Sequence, residues 1–217
     1  MKRALPHIAA ASVLALSSSA HADGSDAGTH PVSADPASPW AFTLTAYPTA
    51  VRGAENYSSA IAIAEHGALH LEVRYNYESI GARSAFIGWS FSGGDALTWK
   101  LTPLIGGAWG STQAFVPGLE ASVAWKGFDF YLEAELVRDN TTSTGSYIFG
   151  WSELGYRPVD WLRAGLAGQR TRAYGGDRDF QRGPFFQVNW GRATLGAYWF
   201  NPGSAEQILV GMLGVAF

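Results

Sequence analysis

Leu69-His70-Leu71-Glu72-Val73-Arg74-Tyr75-Asn76-Tyr77-Glu78 decides the fold class. Odd positions are apolar and even positions are polar. Successive side chains of a β-strand point to opposite faces, so one face is greasy and the other carries His, Glu, Arg, Asn and Glu. The same alternation returns in Phe128–Leu136, where Phe130, Leu132, Ala134 and Leu136 oppose Asp129, Tyr131, Glu133 and Glu135. It returns again in Gly118–Lys126, where Leu119, Ala121, Val123 and Trp125 oppose Glu120, Ser122 and Lys126.

Working outward from these stretches predicts about twelve strands, each of about ten residues, the length a tilted strand needs to cross a bilayer. They fall near 40–48, 57–65, 68–78, 83–92, 97–107, 113–126, 128–138, 146–157, 161–173, 181–190, 192–200 and 206–217. The connections alternate in length. Glu65-His66-Gly67, Lys126-Gly127, Arg157–Asp160 and Gly191 are tight, and Ser92–Ala96 is short. Ala50–Asn56, Ser79–Ala82, Gly107–Thr112, Asp139–Gly145, Tyr174–Phe180 and Asn201–Ala205 are longer and more polar. Short turns at one end and long loops at the other mark an antiparallel up-and-down transmembrane β-barrel, with both termini at the short-turn, periplasmic end. Aromatics fit two interfacial belts. Trp40, Trp89, Trp99, Trp125, Trp161 and Trp190 fall beside the short turns. Trp199, Tyr47, Tyr57, Tyr77, Tyr147 and Tyr174 fall toward the long loops. Trp109 and Trp151 fit neither belt.

Composition agrees. The 217 residues contain 15% charged and 14% aromatic side chains and 26 glycines. A soluble domain averages about 25% charged residues, so a secreted sandwich or jelly roll, which turns its polar faces to water, fits less well. Mean hydropathy is −0.01, too low for a bundle of membrane helices. Cysteine is absent, which removes disulfides, cysteine-ligated metals and cysteine nucleophiles. A net charge of −3 gives no electrostatic basis for binding nucleic acid.

The chain begins with an address. Lys2 and Arg3 precede an apolar stretch, Ile8–Leu16, and Ala20-His21-Ala22 fits a small-x-small cleavage site. Residues 1–22 read as a secretory signal peptide, 23–39 as a flexible Pro/Ser/Asp-rich leader, and 40–217 as the barrel. Cleavage leaves 13 basic against 18 acidic residues.

The chain ends Leu209-Val210-Gly211-Met212-Leu213-Gly214-Val215-Ala216-Phe217. An apolar alternating strand with Phe as its last residue resembles the C-terminal signal of bacterial outer-membrane β-barrel proteins. The resemblance implies an outer-membrane location and recognition of Leu213, Val215 and Phe217 by the barrel-assembly machinery. Strand number and end signal are also shared with the twelve-stranded outer-membrane phospholipase, the nucleoside channel and the acidic-oligosaccharide channels. Tyr75-Asn76-Tyr77-Glu78 resembles an Asn-Tyr-Glu stretch of the phospholipase, but no catalytic His-Ser context accompanies it, so no activity carries over.

Function is sought in the lumen. Strand parity turns Glu72, Arg74, Lys100, Glu120, Glu133, Glu135, Arg163, Gln169, Gln187 and Asn189 inward. The hairpin at Lys126-Gly127 sets Glu120 nearly opposite Glu133. Two facing carboxylates repel unless a cation lies between them, and Arg74 or Lys100 could supply it. The expected function is a narrow channel for ions or small solutes. The alternatives are a plugged structural or binding barrel and an outer-membrane lipid hydrolase. The mature chain offers only His30, His66 and His70 for catalysis, all toward the periplasmic side, and no G-x-S-x-G or metal-ligand spacing. No catalytic residue, cofactor or metal is therefore expected. Arg170, Arg172, Arg178 and Arg182 in the outer loops suit phosphates, and outer-membrane lipid and lipopolysaccharide are the expected partners.

Overall fold

A computed structural model describes residues 39–173 and 178–217. The expected signal peptide, nearly all of the leader, and Tyr174 lie outside the described residues. Strands run β1 (Ala41–Val51), β2 (Tyr57–His66), β3 (Leu69–Tyr75), β4 (Ala82–Trp89), β5 (Phe91–Gly93), β6 (Leu97–Gly110), β7 (Ala114–Trp125), β8 (Phe128–Asp139), β9 (Tyr147–Val159), β10 (Leu162–Ala173), β11 (Arg178–Trp190), β12 (Ala193–Phe200) and β13 (Ile208–Ala216). Among the described residues the one helical element is a 3₁₀ turn at Ser143–Gly145, and no helix is long and apolar enough to cross a membrane.

β4 and β5 are two parts of one stave. Both pair with β6, in one continuous register that runs from Gly88↔Leu104 to Phe91↔Leu101. The break is at Ser90, whose backbone N–H donates to the Ala68 carbonyl of the β2–β3 turn, 2.7 Å away. Twelve staves thus pair each with its neighbour in sequence, and β1 pairs antiparallel with β13. Phe217 extends that last seam, its N–H donating to the Phe42 carbonyl at 2.9 Å. This closed barrel leaves no sheet edge, the condition for strands to cross a bilayer.

The sequence reading places these strands correctly to within a few residues. Two connections differ: β11 begins at Arg178, inside the expected Tyr174–Phe180 loop, and β6 continues through Gly106 and Gly107 to Gly110, which leaves three residues before β7 where a longer loop was expected. Gly106 and Gly107 carry no side chain to mark the strand's period. At the opposite end, Lys126 (φ 47°) and Gly127 (φ 82°) form a two-residue turn with both φ values positive. Such turns match the twist of the flanking strands. β1 starts and β13 ends at this short-turn end, since Ala41 pairs with Glu65 and Thr43 with Ala216.

The outer face is apolar. Leu44, Val73, Ile105, Leu154, Leu166 and Leu195 are all exposed along the outer face of their strands. The six tryptophans of the short-turn girdle are exposed as well, Trp190 most of all. Trp109 and Trp199 face outward at the loop end. The tyrosine part of the outer belt is corrected. Tyr47, Tyr77 and Tyr147 are buried inside the barrel, and so is Trp151. Parity explains Tyr47, Tyr147 and Trp151: Tyr47 lies an even number of residues from the inward Thr45 and Thr49 on β1, and strand periodicity overrides an aromatic's preference for the headgroup layer. Tyr77 lies past the end of β3, beyond Asn76 with φ 54°, where the alternation no longer holds.

Candidate functional site: the charged interior of the barrel

Inward positions of β3 are His70, Glu72 and Arg74, all buried. Arg74 is the hub of a first network. Its Nε donates to Glu72 Oε1 at 2.5 Å, and its Nη1 donates to Glu135 Oε1 at 2.6 Å and to Glu133 Oε1 at 3.2 Å. The Tyr77 hydroxyl donates to the same Glu133 oxygen at 2.6 Å. The guanidinium lies 4.2 Å from the Tyr77 ring centre and 4.3 Å from that of Phe86. A planar cation held by carboxylates and ring faces is the role that suits arginine over lysine.

Glu120 and Glu133 are direct cross-strand partners. Arg74 binds Glu133, while Glu120 accepts a hydrogen bond from Tyr131 Oη at 3.1 Å. Lys100 does not reach the pair; its Nζ donates to Glu65 Oε1 at 2.5 Å, nearer the short turns. Glu65 also lies 3.4 Å from His70 Nδ1, and His70 Nε2 lies 3.3 Å from Glu72 Oε2. His70 therefore lies between two carboxylates.

Arg163 is the hub of a second network. Its Nε donates to both carboxylate oxygens of Asp129, at 2.9 and 3.0 Å, and its Nη2 also bonds Asp129. Its Nη1 donates to Glu153 Oε2 at 2.5 Å and to Gln187 Oε1 at 3.2 Å. Glu153 accepts further bonds from Trp151 Nε1 at 3.0 Å and Tyr198 Oη at 2.8 Å. Stacked and edge-on rings of Trp151, Phe185, Tyr198 and Phe200 fill the space beside this network.

Glu153 and the aromatic cluster are what parity reasoning missed. On β9 the inward row is Tyr147, Phe149, Trp151 and Glu153 and the outward row includes Ile148 and Leu154, so both faces look apolar. Counting back from the Arg157–Asp160 turn would have placed Glu153 inward as the charge in the middle of that strand. Gln169 and Gln187 are buried and Asn189 is half-buried. Arg170 and Arg182 are exposed at the loop end, and Arg182 lies over the Phe180 ring. Arg172 and Arg178 are cross-strand partners whose side chains lie outside the described residues. Leu213 and Phe217 are exposed on the outer surface.

Among the described residues, the fully buried charges are six carboxylates (Glu72, Glu78, Asp129, Glu133, Glu135 and Glu153) against two guanidiniums (Arg74 and Arg163) and the imidazole of His70. The described interior is lined with buried side chains, and acids outnumber bases among its buried charges.

Comparison with solved structures places this architecture. The fold is that of a porin barrel. A KdgM porin structure superposes with a TM-score of 0.54 at 12% identity, covering 81% of this chain and 98% of the other. KdgM porin in complex with disordered oligogalacturonate superposes at 0.50 and 10% identity, with the same coverage. A BenF-like porin from Pseudomonas fluorescens Pf-5 gives 0.42 at 9% identity, over 78% of this chain and 57% of that one. No protein-family model matches the sequence, and no curated protein matches it.

Proposed function

We propose that the chain is a bacterial outer-membrane channel that passes ions or small solutes and prefers cations. It is exported by its signal peptide, and its short-turn end faces the periplasm. The observation that carries the reading is the interior of the porin-type barrel, where six buried carboxylates outnumber two guanidiniums. Fixed charges in a constricted wall of low dielectric act strongly on passing ions, and acidic linings favour cations. The same excess disfavours a polyanion such as the oligogalacturonate in one of the KdgM porin complexes. Arg74 and Arg163 tie the acids into networks that narrow the path, so the conductance is small. Arg170 and Arg182 lie not in a loop, as expected, but on the loop-end portions of β10 and β11; from there they meet lipopolysaccharide phosphates, and Phe217 with Val215 and Leu213 is read by the barrel-assembly machinery.

The test is planar-bilayer recording of the refolded mature protein in a salt gradient. The wild type gives a reversal potential of cationic sign, and Glu120→Gln with Glu133→Gln moves it toward zero. Anion preference in the wild type, or a folded wild type without conductance, overturns the proposal.

A further inference from the structure

The short-turn half of the lumen joins two of the lining carboxylates, Glu72 and Glu120, to the imidazole of His70. His70, Glu72 and Glu120 each offer a ligand atom, and these atoms all lie within 4.8 Å of one another. We propose that this trio is a binding site for a divalent transition-metal ion of the zinc type.

The donors are set by three features of the fold. His70 and Glu72 are two residues apart on β3 and so share its inward face. Glu120 reaches them from β7, three staves away, across β4 and β6. The inward position of β4 opposite His70 is Gly88, where even a Cβ would stand 3.0 Å from Thr102 Cγ2. Glycine there keeps side-chain bulk out of the space between the imidazole and the β7 carboxylate.

Each ligand is also held from behind. His70 Nδ1 faces Glu65 Oε1 at 3.4 Å, and Glu65 is fixed in turn by Lys100. A carboxylate accepting from Nδ1–H directs the lone pair of Nε2 toward Glu72 and Glu120, the carboxylate–histidine–metal arrangement found around bound metals. Glu72 gives Oε1 to Arg74 and turns Oε2 to His70. Tyr131 occupies Oε1 of Glu120 and leaves Oε2 for a ligand. This outer shell sets the trio apart from a simple patch of acids.

Distances and donor types select the ion. Tetrahedral zinc with bonds of about 2.0–2.2 Å has ligand atoms about 3.3 Å apart, and His70 Nε2 and Glu72 Oε2 are 3.3 Å apart. Glu120 is the least buried of the three and closes the remaining gap by a side-chain rotation. One imidazole and two carboxylates suit zinc, copper or nickel over the all-oxygen calcium and magnesium. Three protein ligands leave a fourth position for water.

The test is calorimetric zinc titration of the refolded mature chain, without an affinity tag, in detergent micelles. One zinc ion binds per chain. His70→Ala and His70→Gln abolish that binding, and Glu65→Gln, which alters the outer shell, weakens it about 10–100-fold. His30→Ala with His66→Ala leaves it intact. Heat-modifiability on gels confirms that each variant is folded. A folded wild type that takes up no zinc, uptake unchanged in both folded His70 variants, or uptake lost in the His30/His66 variant overturns the proposal. Because binding is read without conductance, zinc uptake by a non-conducting barrel would sink the channel reading and keep the site.

Discussion

Arg163→Ala is the sharpest probe of how dry the interior is. The guanidinium and both carboxylates it holds are nearly inaccessible to solvent: Arg163 is 1% exposed, Asp129 5% and Glu153 2%. Removing the cation leaves Glu153 without a counterion and Asp129 with only the half-buried Arg157, its Nε 3.7 Å away; breaking a buried pair in this way costs about 3–5 kcal/mol. That is about 150- to 4000-fold in the folding equilibrium, at about 1.4 kcal/mol per tenfold. With a urea slope of about 2 kcal/mol/M, the midpoint falls by about 1.5–2.5 M. The assay is reversible urea titration in lipid vesicles, followed by tryptophan emission. Arg163→Met combined with Asp129→Asn and Glu153→Gln should recover more than half of the loss, because the polar groups left behind are neutral. A loss below about 1 kcal/mol, the value of a solvent-exposed pair, would refute the reasoning. It would mean that Asp129 and Glu153 stay hydrated in a lumen wider than the packing of Trp151, Tyr198 and Phe200 implies.

Three further outcomes are expected. An epitope placed between Asn140 and Ser143 labels intact cells, and one at Lys126-Gly127 labels only after the outer membrane is permeabilised; the reverse pattern inverts the topology. Gly127→Val forces a β-branched residue to φ 82° and lowers stability by about 1–3 kcal/mol, read by the same urea titration. Deleting Phe217 removes both of its backbone hydrogen bonds with Phe42 and the terminal aromatic, and the yield of heat-modifiable protein in outer-membrane fractions falls several-fold.

Strand number, order and facing were legible because alternation is a local property. Leu69–Glu78 alone assigns His70, Glu72 and Arg74 to one face, and the Lys126-Gly127 turn fixes Glu120 opposite Glu133 by counting. Where the period was blurred, the reading slipped. Gly106 and Gly107 hid the last turn of β6. Tyr47 and Tyr147 were assigned by chemical preference to the outer belt, although their parity turns them inward, and Tyr77 is buried against its parity because β3 ends at Tyr75, before Asn76 with φ 54°.

The sequence by itself determined that the chain is a closed transmembrane barrel, because a bilayer demands one apolar and one polar face from every strand and that demand is written residue by residue. Partner choice inside the barrel was decided only by the tertiary structure. Arg74 reaches Glu133 and Glu135 across 59 and 61 residues of chain, Lys100 turns to Glu65, and Glu153 joins Asp129 on Arg163. Those pairings depend on barrel diameter, stagger and the space left by Gly88 and the packed aromatics. Such quantities arise when twelve strands close on one another, and no single strand encodes them.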